Sequence, residues 1–346
     1  MIVNEQSFIN DQDEEYSEME RAEGLQVVLG ASGGTGRALV DELVRQGRRV
    51  RAVSRRPVPG LPAGVEHVSA DLSDTAAASR AIAGASVVFH AAQPAYEHWD
   101  GNFERLNGAI ADATAAAGAR LVFADNLYMY GPGGSPMTEA TPQRATDRKG
   151  ALRIRLAADL LARHERGELD VVLARSSDYF GPHGVNTGPG ERVFASALRG
   201  TAASVVGSLD VPHSFGYLPD MARAMIILGD RDEAAGRAWH LPATDPLTVR
   251  ALLDHVYRAA GTPVKVRVAG PLTLRALGLF IPALREVAVV AYQWQEPWIS
   301  DWSAFEAAFG PFGRTPLDEA IATTLEWWRG ELAARGRTSV APARAA

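Results

Sequence analysis

The chain of 346 residues contains no cysteine, which removes disulfide cross-links, thiol nucleophiles and thiolate metal ligands together and fits a reducing compartment. It has no apolar run long enough to span a membrane, and its first residues lack the basic and apolar regions of a secretory leader, so cytoplasm is the expected location. It has no basic block either. Its 35 Lys and Arg against 41 Asp and Glu give a formal charge of −6, which argues against nucleic acid and against an anionic membrane as partners. No spacing of His and carboxylates reads as a metal site, and there is no internal repeat. Apolar residues, by contrast, make up 47% of the chain, enough for a large core in one domain with a smaller lobe. The richness in Ala, Arg and Gly is associated with GC-rich bacterial genomes.

Leu25 to Leu29 is a short apolar, β-branched run of the kind that forms a buried parallel strand. Gly30, Gly33 and Gly36 follow it at three-residue spacing before a helical pattern opens at Arg37. Strand, glycine turn and helix start together predict a dinucleotide site, in which Gly30 takes the tight turn, Gly33 admits a pyrophosphate and Gly36 lets the helix pack on the strand. Ser32, Gly34 and Thr35 complete this candidate loop.

Arg49 to Ser54 reads as a second strand whose tip is Ser54-Arg55-Arg56. A small residue followed by Arg suits a ribose 2′-phosphate where an acid would suit a free ribose hydroxyl, so NADP(H) is expected over NAD(H), with Arg37 as a further phosphate contact. A third strand ends in Asp71-Leu72, with Asp71 placed to accept from the adenine amino group, and a fourth ends in Ala91, Ala92 and Gln93, where small side chains leave room for the cofactor. Strands alternating with helices at this pitch predict an α/β fold, a Rossmann-type doubly wound parallel sheet with a smaller C-terminal α/β substrate lobe.

The expected organisation is a disordered acidic extension over 1–23, a nucleotide-binding domain over 24–182, and a substrate lobe over 183–332 that sends a strand near 211–218 back to the main sheet. A disordered tail would follow over 333–346. Within 270–295 an apolar helix pair broken at Pro282 is expected. The loops after the fifth and sixth strands, Asp125 to Pro132 and Arg175 to Pro182, leave the carboxyl ends of central strands. Ligands of open α/β sheets bind there, so Asn126, Tyr128, Ser177, Asp178 and Tyr179 are the first candidates for contact with cofactor or substrate. Tyr96, His98 and Trp99 could wall a pocket, while His90, Tyr130, Trp294 and Trp298 read as packing.

With these motifs in place the chain resembles the extended short-chain dehydrogenase/reductase family, also labelled NAD-dependent epimerase/dehydratase. The resemblance spans about residues 24 to 330. It rests on G-A-S-G-G-T-G at 30–36, A-D-L at 70–72, V-V-F-H-A-A at 87–92, Y-G-P at 130–132, R-S-S-D-Y-F-G-P at 175–182 and G-Y-L-P-D-M-A-R-A at 216–224. It implies a nicotinamide cofactor and a nucleotide sugar, aldehyde, ketone or related polar substrate, while the aromatic residues of the loops suggest that the substrate is partly apolar. It also implies a homodimer formed through the helices at about 103–117 and 149–166.

The resemblance further implies a Ser or Thr in the fifth-strand loop and a Tyr-x-x-x-Lys on the next helix, the Tyr exchanging a proton with the substrate while the Lys holds the nicotinamide ribose. The first position falls on Asn126. The family's usual spacing puts the Tyr at Ala151 and the Lys at Arg155; a second register takes Lys149 as the lysine and puts the Tyr at Ala145. Both put alanine where the phenol belongs, and alanine transfers no proton. Three readings follow. In the first, hydride transfer to a carbonyl or from an alcohol continues with Tyr128 as acid, Asn126 on the carbonyl and Arg155 as a permanent cation at the ribose. The second is a cofactor-retaining isomerase, epimerase or dehydratase using Asp178 or Tyr179. The third is a regulatory NADP-binding protein without turnover.

Overall fold

The computed structural model describes residues 17–338. At its centre, strands β1 (Leu25–Leu29), β2 (Arg49–Ser54), β3 (Glu66–Ser69), β4 (Ala85–His90), β5 (Arg120–Asp125), β6 (Asp170–Arg175) and β7 (Ala238–His240) form a seven-stranded sheet. Their order is β7-β6-β5-β4-β1-β2-β3 and every pairing is parallel. Such an order opens a crevice where the chain, having built outward from β1 to β3, returns to lay β4 on the other side of β1.

Both faces of the sheet are covered, which is why its strands read as nearly continuous apolar runs. On one face Val27, Val88, Leu121 and Leu173 pack under α2 (Thr75–Ile82), α3 (Asn102–Ala116) and α4 (Arg148–Glu165). On the other, Val28, Phe89, Val122 and Val172 pack under α1 (Gly34–Arg45) and α5 (Leu218–Asp230). The start of α4 is fixed by Asp147, whose carboxylate accepts from the backbone N–H groups of Lys149 and Gly150.

The C-terminal lobe contains α6 (Val249–Ala260), α7 (Pro271–Gly278), α8 (Pro282–Val289), α9 (Ser303–Phe309) and α10 (Leu317–Thr338). Its own core includes Phe180, Phe194, Phe215, Val256, Ile321 and Trp328. The expected helix pair is present, broken over residues 279–281, with Pro282 as the first residue of α8.

Three boundary expectations are corrected. Gly216–Tyr217 does not rejoin the main sheet but pairs with Tyr179–Phe180 in a separate ribbon, and the strand that extends the sheet is β7. The 216–217 segment is too short and too tightly coupled to the β6 loop to reach past it. At the N-terminus, residues 17–23 are helical, and Arg21 ties them to α5 by donating to Asp230 O and pairing with Asp232. At the other end α10 continues to Thr338. Residues 1–16 and 339–346 of the expected disordered ends lie outside the described residues.

Candidate functional site

The glycine turn has the geometry of an anion cradle. Gly30 adopts φ +82°, and a Cβ on Gly36 would fall 2.3 Å from Gly30 O, so only glycine allows α1 to approach β1 this closely. Beside Gly33 the only close atom is Gly30 O at 3.4 Å. No side chain caps α1 and no acidic residue stands in its first turn, leaving first-turn N–H groups and the positive end of the helix dipole to an anion. A dinucleotide pyrophosphate fits this cradle.

At the tip of β2, Ser54 is buried, with its hydroxyl donating to Arg56 O at 2.5 Å and lying 3.0 Å from His67 Nε2. Arg55 and Arg56 are exposed. Arg37, expected as a phosphate contact, is engaged elsewhere: it pairs with Asp41 at 2.8 Å and donates to Pro59 O and Gly60 O. Asp71 is exposed and accepts from the Ser73 hydroxyl and N–H, which hold its carboxyl below the usual range and keep it an acceptor at neutral pH; Leu72 beside it is buried.

Beyond β4, Ala91 and Ala92 are partly buried and Gln93 is exposed. His90, one residue earlier, is fully inside, 5.2 Å from the Phe123 ring. Burial, reinforced by the nearby Arg153 cation, pushes it down to about 3, so it is a neutral packing residue.

The end of β5 and the first turns of α4 form the centre of the site. Asn126 accepts from Tyr128 N–H at 3.0 Å through its amide oxygen, which folds the chain into a short turn that aims Tyr128 toward Tyr96, their hydroxyls 3.4 Å apart. Burial raises the Tyr128 phenol to about 12, and the Asp178 carboxylate adds to the rise.

Opposite, α4 presents two buried cations one turn apart, Lys149 and Arg153. Arg153 reaches Asp125 at 3.3 Å and Gln93 Oε1 at 3.4 Å, with its guanidinium 4.7 Å over both the Trp99 and Phe103 rings. Burial lowers its pKa, but a guanidinium stays charged. Lys149 donates to Tyr96 O, pairs with Glu286 of α8 at 3.0 Å and lies over the Tyr96 and Trp99 rings.

Arg155, expected to replace the family lysine, lies on the outer face of α4, 56% exposed and paired with Glu104 of α3. The expected register is therefore displaced by two residues, a rotation of about 200° around a helix with 3.6 residues per turn. Ala151 is only partly buried, and Ala145 precedes the helix. The reason is local. A Cβ on Gly150 would fall 2.6 Å from Tyr128 O and 2.2 Å from Ala145 Cβ, so this glycine must face the β5 loop and carries its neighbours inward with it.

The β6 loop supplies the third wall. Ser177 is buried and its hydroxyl has no protein partner among the described residues. Asp178 accepts from, or pairs with, His213 Nε2 at 3.0 Å, and His213 is stacked on Trp294 with ring centres 4.2 Å apart. Tyr179 is partly buried and burial raises its phenol, although a hydrogen bond to Thr35 of the glycine turn opposes the rise.

A parallel sheet in this strand order, with a glycine cradle and a cleft at its carboxyl edge, meets a family model described as NAD dependent epimerase/dehydratase over residues 26–241. The chain belongs to that family. Among curated relatives, this family member is 26% identical over 261 residues to an uncharacterised protein of Sinorhizobium fredii, covering 72% of this chain and 64% of that one. The chain thus spans less than two thirds of that relative's length. It is also 26% identical over 322 residues to the 2-alkyl-3-oxoalkanoate reductase of Stenotrophomonas maltophilia, covering 84% and 94%. Among solved structures it resembles the UDP-glucose 4-epimerase of Thermus thermophilus in complex with NAD, with a TM-score of 0.70, 21% identity, and coverage of 88% and 99%. The epimerase/dehydratase fold is thereby shown, and the chain is an atypical member of the family, without the Tyr-x-x-x-Lys of the extended short-chain class.

Arg153 joins the site although it is not among the candidates that the sequence offers; Asp125 opens the β5 loop already singled out, and His213 is expected from the sequence only as a residue lining the cleft. For Arg153 a signal is present. Lys149 and Arg153 repeat the family's spacing of two functional residues on one helix face, and Gly150 between them marks the inward side. The pairing of His213 with Asp178 has no such signal, because the two lie 35 residues apart.

Proposed function

We propose that the protein is a nicotinamide-dependent reductase in which Tyr128 donates a proton to the oxygen of a partly apolar carbonyl substrate. The observation that carries this reading is the convergence of Tyr128, Arg153 and Gln93 at the carboxyl ends of β4 and β5, with Asp125 holding the cation. A bound nicotinamide cofactor supplies the hydride. Gly30, Ser32, Gly33, Gly34, Thr35 and Gly36 hold its pyrophosphate, Asp71 and Leu72 its adenine, and Ser54, Arg55 and Arg56 the 2′-phosphate, favouring NADP(H). Ala91, Ala92 and Ser177 flank the nicotinamide end. Arg153 takes the ribose role expected of Arg155.

A phenol held at about 12 is fully protonated at neutral pH. It is therefore present as the proton donor that reduction of a carbonyl requires. Asn126 uses its amide oxygen locally, so its amide nitrogen is the group that holds the carbonyl. The aromatic side chains of Tyr96, Tyr292 and Trp294 suit a substrate with an apolar part, and the Stenotrophomonas relative's name, a reductase of 2-alkyl-3-oxoalkanoates, supports both direction and substrate type. A homodimer through α3 and α4 is part of this proposal. A second reading, isomerisation or epimerisation, is favoured by the Asp178–His213 pair, which could serve as an acid/base couple.

The test follows NADPH absorbance with a panel of 3-oxo acids, ketones and aldehydes. Oxidation is expected, with Tyr128→Phe slower by about 10²-fold. Unchanged turnover in Tyr128→Phe removes it as the acid, and substrate conversion without net NADPH oxidation supports the isomerase reading. NADP preference fails if NADH binds equally well, or if Arg55→Ala with Arg56→Ala leaves NADPH affinity unchanged.

A further inference from the structure

The net charge of −6 conceals an uneven distribution. Between Val264 and Arg285 the chain carries Lys265, Arg267, Arg275 and Arg285 and no acidic residue. The same stretch holds five of the six large hydrophobic residues exposed among the described residues: Val264, Val268, Leu279, Phe280 and Ile281. Leu279 and Phe280 are the extreme cases at 81% and 84% exposed, and they sit with Ile281 in the connection between α7 and α8. Lys265, Arg267 and Arg285 are exposed as well. Single exposed apolar residues are ordinary, but three in succession at the tip of a helical hairpin are not.

We infer that the α7–α8 hairpin docks this protein on an anionic lipid surface, the Leu279-Phe280-Ile281 tip entering the acyl boundary while the exposed basic side chains of the same stretch, Arg285 nearest in sequence, meet the headgroups. The tip is three consecutive exposed residues in a connection between helices, so it suits a yielding apolar medium. Arg285, exposed in α8 just beyond the tip, and Arg267, exposed in the strand that leads into α7, supply the charge complementarity that an anionic headgroup layer answers. No described helix is long and apolar enough to cross a membrane, so the attachment is peripheral.

The hairpin is anchored through its second helix to the candidate site. Glu286, in α8 just beyond the tip, is buried and pairs with both Arg148 and Lys149 at the start of α4. A lipid-docked tip therefore sits on the same two-helix unit that closes over the aromatic wall. That an amphiphilic substrate enters by this route rests on the reductase reading; the docking itself does not.

The experiment sediments the full chain with vesicles of phosphatidylcholine alone and of phosphatidylcholine mixed with phosphatidylglycerol. Binding is expected to the mixed vesicles, weakly to the neutral ones, and to weaken as salt is raised. Leu279→Ser with Phe280→Ser and Ile281→Ser should lower the bound fraction by about tenfold or more, with thermal midpoint and NADPH binding retained. Arg267→Gln with Arg285→Gln should remove the preference for anionic lipid. A wild-type chain that stays in the supernatant, or a triple variant that binds as wild type does, overturns the proposal. So does a wild-type dimer that ignores vesicles and becomes monomeric in the triple variant, which would make the tip a contact between copies.

Discussion

Arg153 of α4 and Asp125 at the end of β5 face each other at 3.3 Å with both side chains buried, and Arg175 approaches the same carboxylate from β6 at 3.3 Å. One acid thus holds two guanidinium groups beneath the cleft. Charges taken this far from water persist only when paired and hydrogen-bonded, so the cluster fixes the floor of the site as well as its electrostatics.

Arg153→Met is expected to weaken cofactor binding and to lower stability by up to about 3 kcal/mol, at the lower end for a broken buried pair because Arg175 still neutralises Asp125. Arg155→Ala breaks only an exposed pair and should change stability by less than about 0.5 kcal/mol. Urea unfolding and NADPH titration of the two variants check the register of α4; a reversed order of effects would return the ribose role to Arg155.

Because the Tyr128 phenol is raised to about 12, the reductase rate should be insensitive to this group through neutral and mildly alkaline pH. The sign for stability is also set. A phenol ionises more readily in the unfolded chain, near about 10, so its contribution is complete below that value and is lost as pH rises toward about 12. A rate profile carrying an ionisation near neutrality that vanishes in Tyr128→Phe would contradict this environment.

Gly36→Ala places a methyl group 2.3 Å from Gly30 O, and the obstructing atom is backbone. The expected cost is about 1–3 kcal/mol, with loss of nucleotide binding as α1 moves off β1. Calorimetry with and without NADPH checks both; retention of full nucleotide affinity would show that the close approach is dispensable.

His90 and His240 are both pushed down to about 3 by burial. Their unfolded forms take up protons first, near about 6.5, so the stability they contribute is complete above that value and falls as pH drops toward about 3. Each adds up to ~1.4 kcal/mol per pH unit within that window. Urea midpoints measured across the window should fall with pH, and His90→Phe should flatten part of the slope.

Much of the fold of the N-terminal half is legible in the sequence. The apolar runs of β1 and β4, the glycine spacing and the Ser54-Arg55-Arg56 tip are local patterns, and local patterns survive in sequence because neighbouring residues form them. The whole-chain charge is a poorer guide, since an average over 346 residues hides a stretch from Val264 to Arg285 whose charged residues are all basic.

The sequence by itself determined the alternation of strands and helices, the position of the glycine turn and the absence of a Tyr-x-x-x-Lys. Only the tertiary structure decided which face of α4 looks into the cleft. That choice depends on Gly150 abutting Tyr128 O and Ala145, contacts made across a loop whose length no spacing rule fixes. The same holds for Asp178 with His213 and for Arg148 with Glu286, pairs joined across 35 and 138 residues by packing between the sheet and the lobe.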